Sequence, residues 1–134
     1  MNLASNNTEQ EEYLKSDNKR TDGLIDSLSR IGNDPEDLFL EILDVISNTS
    51  EPVPLPGRYY TFIYKAKTPR IEYDAHPLIA CTGVYNWGFT GINYHWGEGR
   101  QYTWEEVGSM FYLVYPNELS DLRSIPYQYF KLNS

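Results

Sequence analysis

Aromatic residues are spread so unevenly along this chain that they dictate where its core can lie. Of 20 Phe, Trp and Tyr residues, 18 follow Gly57. Charge runs the other way. Residues 1–56 hold 12 acidic and 4 basic side chains and residues 57–134 hold 7 of each, so the whole net charge of −8 belongs to the first segment. Each buried aromatic removes a large area from water. The second segment can therefore build a dense core from few residues, whereas the first buries little by itself. A length of 134 residues leaves room for one domain and one core.

Several function classes are disfavoured at once. A net acidic chain lacks the basic face of a generic DNA-coating protein. No apolar run approaches the ~18 residues of a membrane span, and the opening MNLASNNTEQEEY lacks the pattern of a secretory signal. One cysteine, Cys81, cannot form an intramolecular disulfide. Its apolar setting, PLIACTGVY, predicts a buried reduced thiol and a reducing compartment.

Along the chain, residues 1–21 read as disordered or ordered by a partner. Residues 22–48 read as two acidic amphipathic helices. Leu24, Ile25, Leu28 and Ile31 recur at helical spacing, with Gly32-Asn33 as a stop. Asp34 suits an N-cap and Pro35 the first helical position, while Glu36 and Asp37 favour the positive end of the dipole. The second helix carries an apolar stripe of Leu38, Phe39, Ile42, Leu43 and Ile46, widened by Leu40 and Val45. That stripe either packs on the following module or forms a partner-binding surface. Residues 49–57 read as a stiff Pro-rich connector, and residues 58–134 as a Tyr-rich, mainly β module.

Within the module, Arg58–Lys65 is rich in aromatic and β-branched residues, as a strand should be. Pro77–Tyr85 and Phe89–Trp96 read as a hairpin turning at Asn86-Trp87-Gly88. Thr103-Trp104-Glu105-Glu106 has capping-box spacing and predicts a helix from Trp104 to Val114. Pro116 would end it, Asn117 would cap a short helix over Glu118–Arg123, and Ile125–Phe130 would run as an extended edge. The expected fold class is α+β. It comprises a small, strongly bent antiparallel sheet of three or four strands (an SH3-like or OB-like partial barrel), a helical acidic leader and a late helix.

Two constellations bear on chemistry. Asp74 and His76 would share a strand face and His95 would approach from the paired strand, a two-histidine, one-carboxylate arrangement. Its spacing matches no metal motif, and Pro77 limits pairing beside it, so structural hydrogen bonding by the histidines is the expectation and a metal-dependent hydrolase site the lesser alternative. Arg58, Tyr60, Lys65, Lys67 and Arg70 interleave cations with aromatics, as single-strand-binding β-barrels do. A core-facing set of aromatics beside a solvated basic loop explains the same pattern. No nucleophile elbow and no phosphate-binding glycine loop is present. No catalytic residue, metal or cofactor is expected.

The run Tyr73-Asp74-x-x-Pro77-Leu78-Ile79, followed by Gly88-Phe89-x-Gly91-Ile92-Asn93-x-His95, resembles a family of small proteins of tailed phages, especially myoviruses of marine bacteria. The earlier Pro56-Gly57-Arg58-Tyr59-Tyr60-Thr61-Phe62-x-Tyr64-x-x-Lys67 is similar to the same family's opening strand. The resemblance covers residues 56–96 and implies a particle or assembly role without catalysis. It places the chain in the virion and, during assembly, in the host cytoplasm. Its expected partners are other structural subunits with a basic surface, and DNA contact is the alternative. The acidic leader and the segment after Arg100 depart from the family pattern.

Overall fold

The computed structural model describes residues 19–67 and 71–133. The expectation for residues 1–18 and the placement of Arg70 lie outside the described residues. The architecture is α+β. Among the described residues, three α-helices, α1 (Leu24–Leu28), α2 (Pro35–Ile46) and α3 (Leu119–Ser124), accompany eight strands. These are β1 (Ser50–Glu51), β2 (Tyr59–Thr61), β3 (Ile71–Asp74), β4 (Leu78–Val84), β5 (Gly88–Asn93), β6 (Glu98–Thr103), β7 (Phe111–Val114) and β8 (Phe130–Asn133). Six strands form one antiparallel sheet in the order β1-β7-β2-β4-β5-β6, and β3 pairs with β8 in a second.

Strand alternation divides the apolar side chains of the large sheet between two cores. Tyr60, Phe62 and Tyr64 point into a core that contains Phe89, Tyr102 and Phe111. There Phe62 meets Phe89, Tyr102 and Phe111 with ring centroids 5.5, 5.4 and 5.1 Å away, mostly edge to face, the geometry aromatic quadrupoles favour. Tyr59 and Ile63 pack against the opposite core, where Leu38, Phe39, Ile42 and Ile46 of α2 meet Leu78, Val114, Leu122 and Tyr127. The two segments divided at Gly57 by composition thus share a core. The connector joins in as well, because Ser50 and Glu51 pair with Tyr112 and Phe111.

Helix α2 begins as the sequence predicts, with the Asp34 side chain accepting from Glu36 N at 3.0 Å and Pro35 at the first position. Elsewhere the structure corrects the reading. Trp104–Val114 is not a helix. Thr103 Oγ1 does donate to the Glu106 carboxylate, but only a 3₁₀ turn over Trp104–Glu106 follows. Phe111–Val114 then forms a strand between β1 and β2. The run Phe-Tyr-Leu-Val is aromatic and branched, and two neighbouring strands satisfy its backbone. Among the described residues, eight strands replace the expected three or four. The short helix expected over Glu118–Arg123 does form, as α3, but Asn117 is not its cap: it lies within a 3₁₀ turn that Pro116 opens, and Glu118 takes the N-cap position. The edge expected over Ile125–Phe130 begins only at Phe130.

Gly88 marks the tightest approach in the sheet, since a Cβ there would overlap the backbone carbonyl oxygen of Tyr102.

Candidate functional site

The residues from Tyr73 to His95 that suggested chemistry meet in a buried polar knot between the two sheets. Asp74 ends β3 and is 4 % exposed. One carboxylate oxygen accepts from His76 N at 2.9 Å and the other from Asn93 Nδ2 at 3.2 Å. Burial pushes the Asp74 carboxyl up to about 6, against the lowering effect of hydrogen bonds from His76, Asn93 and Tyr129 and of the Arg100 charge. Asn93 also accepts through Oδ1 from His95 N (2.9 Å) and Trp96 N (3.2 Å), which closes the turn after β5.

The two histidines hold one backbone segment from two sides. His76 Nδ1 donates to the Tyr127 carbonyl at 3.1 Å, and His95 Nε2 donates to the Ile125 carbonyl at 3.2 Å. A carbonyl only accepts, so the two rings carry their protons on opposite nitrogens. The His76 ring lies flat on Phe39 with centroids 4.2 Å apart. His95 meets the Tyr127 ring edge-on at 4.8 Å, and burial holds its pKa below the usual histidine value. Its Nδ1 is buried without a hydrogen-bond partner among the described residues. Tyr127 OH donates to Thr61 Oγ1 (3.2 Å), and Thr61 donates to the Pro77 carbonyl (2.8 Å). Asp74, His76 and His95 do not converge as ligands. Asp74 bonds the backbone of His76 rather than its ring, and no group of three metal-ligating side chains is assembled among the described residues.

Beside this knot, Glu36, Phe39, Leu40, Ile63, Lys65 and His76 help line a cleft of about 250 Å³ between α2 and the module. Its floor is apolar, and Glu36 and Lys65 bring the charges. Cys81 lies elsewhere, 2 % exposed, with burial raising its thiol pKa and thus disfavouring the reactive thiolate.

The interleaved basic and aromatic set is separated by strand alternation. Tyr60 is fully buried and donates to Glu51 Oε2 at 2.8 Å, so its face is closed to bases. Arg58 pairs with Glu51 at 3.3 Å. Lys65 and Lys67 are exposed. Of the α2 stripe, Leu38, Phe39, Ile42 and Ile46 are buried in the chain's own core and Leu43 packs half-buried against it, so this face is core rather than an open partner surface. Leu40, expected to widen the buried stripe, instead stands 63 % exposed.

One pairing escaped sequence reasoning altogether. Arg20 forks onto Glu118 through Nη2 (2.7 Å) and Nε (3.0 Å), and its backbone N adds a third bond at 2.8 Å. The same guanidinium donates to Thr49 Oγ1 (2.7 Å) and the Leu113 carbonyl (3.0 Å), and stacks 4.3 Å from the Tyr115 ring centroid. This pair ties the start of the described chain to the module across 98 positions. The spacing from Tyr115 to Glu118 is that of a capping box and marks Glu118 as a cap. Nothing local marks Arg20.

No protein-family model, curated protein or solved structure matches the chain.

Proposed function

We propose that this chain is a non-enzymatic structural or assembly component of a tailed-phage particle, built on a small SH3-like or OB-like partial barrel and working through protein–protein contacts. The observation that carries this reading is the fate of its richest acid–base cluster. Asp74, His76, Asn93 and His95 all hold backbone in place, and the first three are almost wholly buried. A substrate would have to displace these bonds to reach them. The exposed chemistry lies instead on the acidic helices and suits a partner with a basic surface. The phage assignment rests on the resemblance over residues 56–96, which also implies a place in the virion and, during assembly, in the host cytoplasm.

Mass spectrometry of purified particles and assembly intermediates tests the reading. The chain is expected in one of them, and its absence from both removes the proposal. The second reading is a nucleic-acid contact through Lys65 and Lys67, favoured by their shared exposure on one loop. Oligonucleotide affinity near ~50 mM salt that falls in Lys65→Ala/Lys67→Ala supports it, and no affinity at that salt dismisses it.

A further inference from the structure

The outward face of α2 carries a pattern that the packing of the described residues does not explain. Asp37, Leu40, Glu41 and Asp44 stand at i, i+3, i+4 and i+7 and therefore form one stripe. Together with Ile31 they line an open groove of about 470 Å³. Leu40 is 63 % and Ile31 38 % exposed, so apolar surface lies in the groove among carboxylates. None of the three acids is among the ion pairs of the described residues, which are Lys19–Asp121, Arg20–Glu118 and Arg58–Glu51.

The arrangement works against the helix itself. Asp37 and Glu41 are like charges one turn apart, as are Glu41 and Asp44, and such pairs repel. Asp44 lies near the negative end of the helix dipole, and the last turn holds no basic residue to offset it. A cation supplied from outside relieves all three repulsions, and an apolar side chain beside Leu40 and Ile31 buries the remaining exposed surface.

We infer that this groove docks a cationic amphipathic segment of a partner protein, with an apolar side chain seated against Leu40 and Ile31 and lysines or arginines on Asp37, Glu41 and Asp44. This deepens the reading of the chain as working through protein contacts. Charge sign selects the occupant. Paired through this same face, a second copy would bring the same acids, and nucleic acid would bring phosphates.

The probe is a synthetic amphipathic Leu/Lys peptide titrated into the full chain by fluorescence anisotropy. Neutralising the stripe with Asp37→Asn/Glu41→Gln/Asp44→Asn is expected to weaken binding about tenfold or more. Leu40→Ser is expected to weaken it about tenfold as well, and a peptide of lysine without leucine should bind as poorly. Asp22→Asn/Asp26→Asn, acids outside the groove, should stay within about twofold. Circular dichroism checks that each variant keeps its helices. The inference is overturned if the wild-type chain ignores the Leu/Lys peptide, if the triple variant binds unchanged, or if Asp22→Asn/Asp26→Asn weakens binding as much, which would show diffuse attraction to an acidic chain. Particle incorporation separates this from the broader reading. A chain found in particles that ignores the peptide loses the groove alone. A chain absent from particles that binds the peptide through the stripe loses the phage role alone.

Discussion

Replacing Glu118 by Gln is the sharpest test of how the acidic segment is attached. The carboxylate is fully buried, and the Arg20 side chain is only 14 % exposed. Four donors converge on it: Arg20 Nη2 at 2.7 Å and Tyr115 N at 3.1 Å on Oε1, and Arg20 Nε at 3.0 Å and Arg20 N at 2.8 Å on Oε2. Glutamine turns one of these oxygens into an NH₂ group that faces donors, and it leaves a guanidinium with only neutral acceptors. Breaking a buried pair from one side costs about 3–5 kcal/mol. Set against a total stability of about 5–15 kcal/mol, that is a large share, and it corresponds to a fall in Tm of about 10–20 °C for a domain of this size. Urea unfolding followed by tryptophan fluorescence measures the loss. Low exposure also means that added salt should change the result little. The double variant Arg20→Met/Glu118→Leu should recover only part of the loss, since neither charge then stays buried alone but the backbone N–H groups of Arg20 and Tyr115 lose their acceptor. A loss below about 1 kcal/mol for Glu118→Gln, the value of an exposed pair, would refute the argument and show the Arg20 segment to be loosely held.

Asp74 makes a prediction about pH. Its folded pKa is raised from 3.8 to about 6, so folding favours the protonated form. Stability from this group is complete below pH 3.8 and is lost as pH rises through about 6, a swing of about 3 kcal/mol. Urea midpoints of wild type and Asp74→Asn at several pH values should converge or diverge across that window, and parallel curves would contradict the assignment. His76→Ala should cost about 1–3 kcal/mol, because the Tyr127 carbonyl loses its donor. Zinc should leave the Tm of wild type unchanged, and a clear metal-induced rise would revive a ligand role for the histidines. Gly88→Ala should destabilise by more than ~1 kcal/mol through its overlap with the Tyr102 carbonyl; an unchanged urea midpoint would mean that β5 and β6 separate easily.

What could be read from the sequence was local in its physics. The N-terminus of α2 was legible because Asp34, Pro35 and Glu36 act within one turn. The hairpin of β4 and β5 was legible because Asn86-Trp87-Gly88 joins two apolar runs, and its register pairs Val84 with Phe89. The failure at Trp104–Val114 has the complementary cause. The capping-box sequence was present, but the Thr103 hydroxyl bonds the Glu106 side chain and caps no backbone N–H, and the helix lost to two strands, β1 and β2, that lie about 50 to 60 positions earlier in the chain.

The candidate site divides along the same line. Asp74, His76, Asn93 and His95 were recognisable as polar residues in an apolar setting, yet the use of both histidines depends on the carbonyls of Ile125 and Tyr127, which no spacing links to them. The uneven distribution of aromatics set one core in the module, since burying them requires it. The second core, built under α2 and anchored by Arg20 on Glu118, was a decision of tertiary structure. The buried carboxylate of Glu118 is tolerated because the Arg20 guanidinium arrives from 98 positions away to meet it.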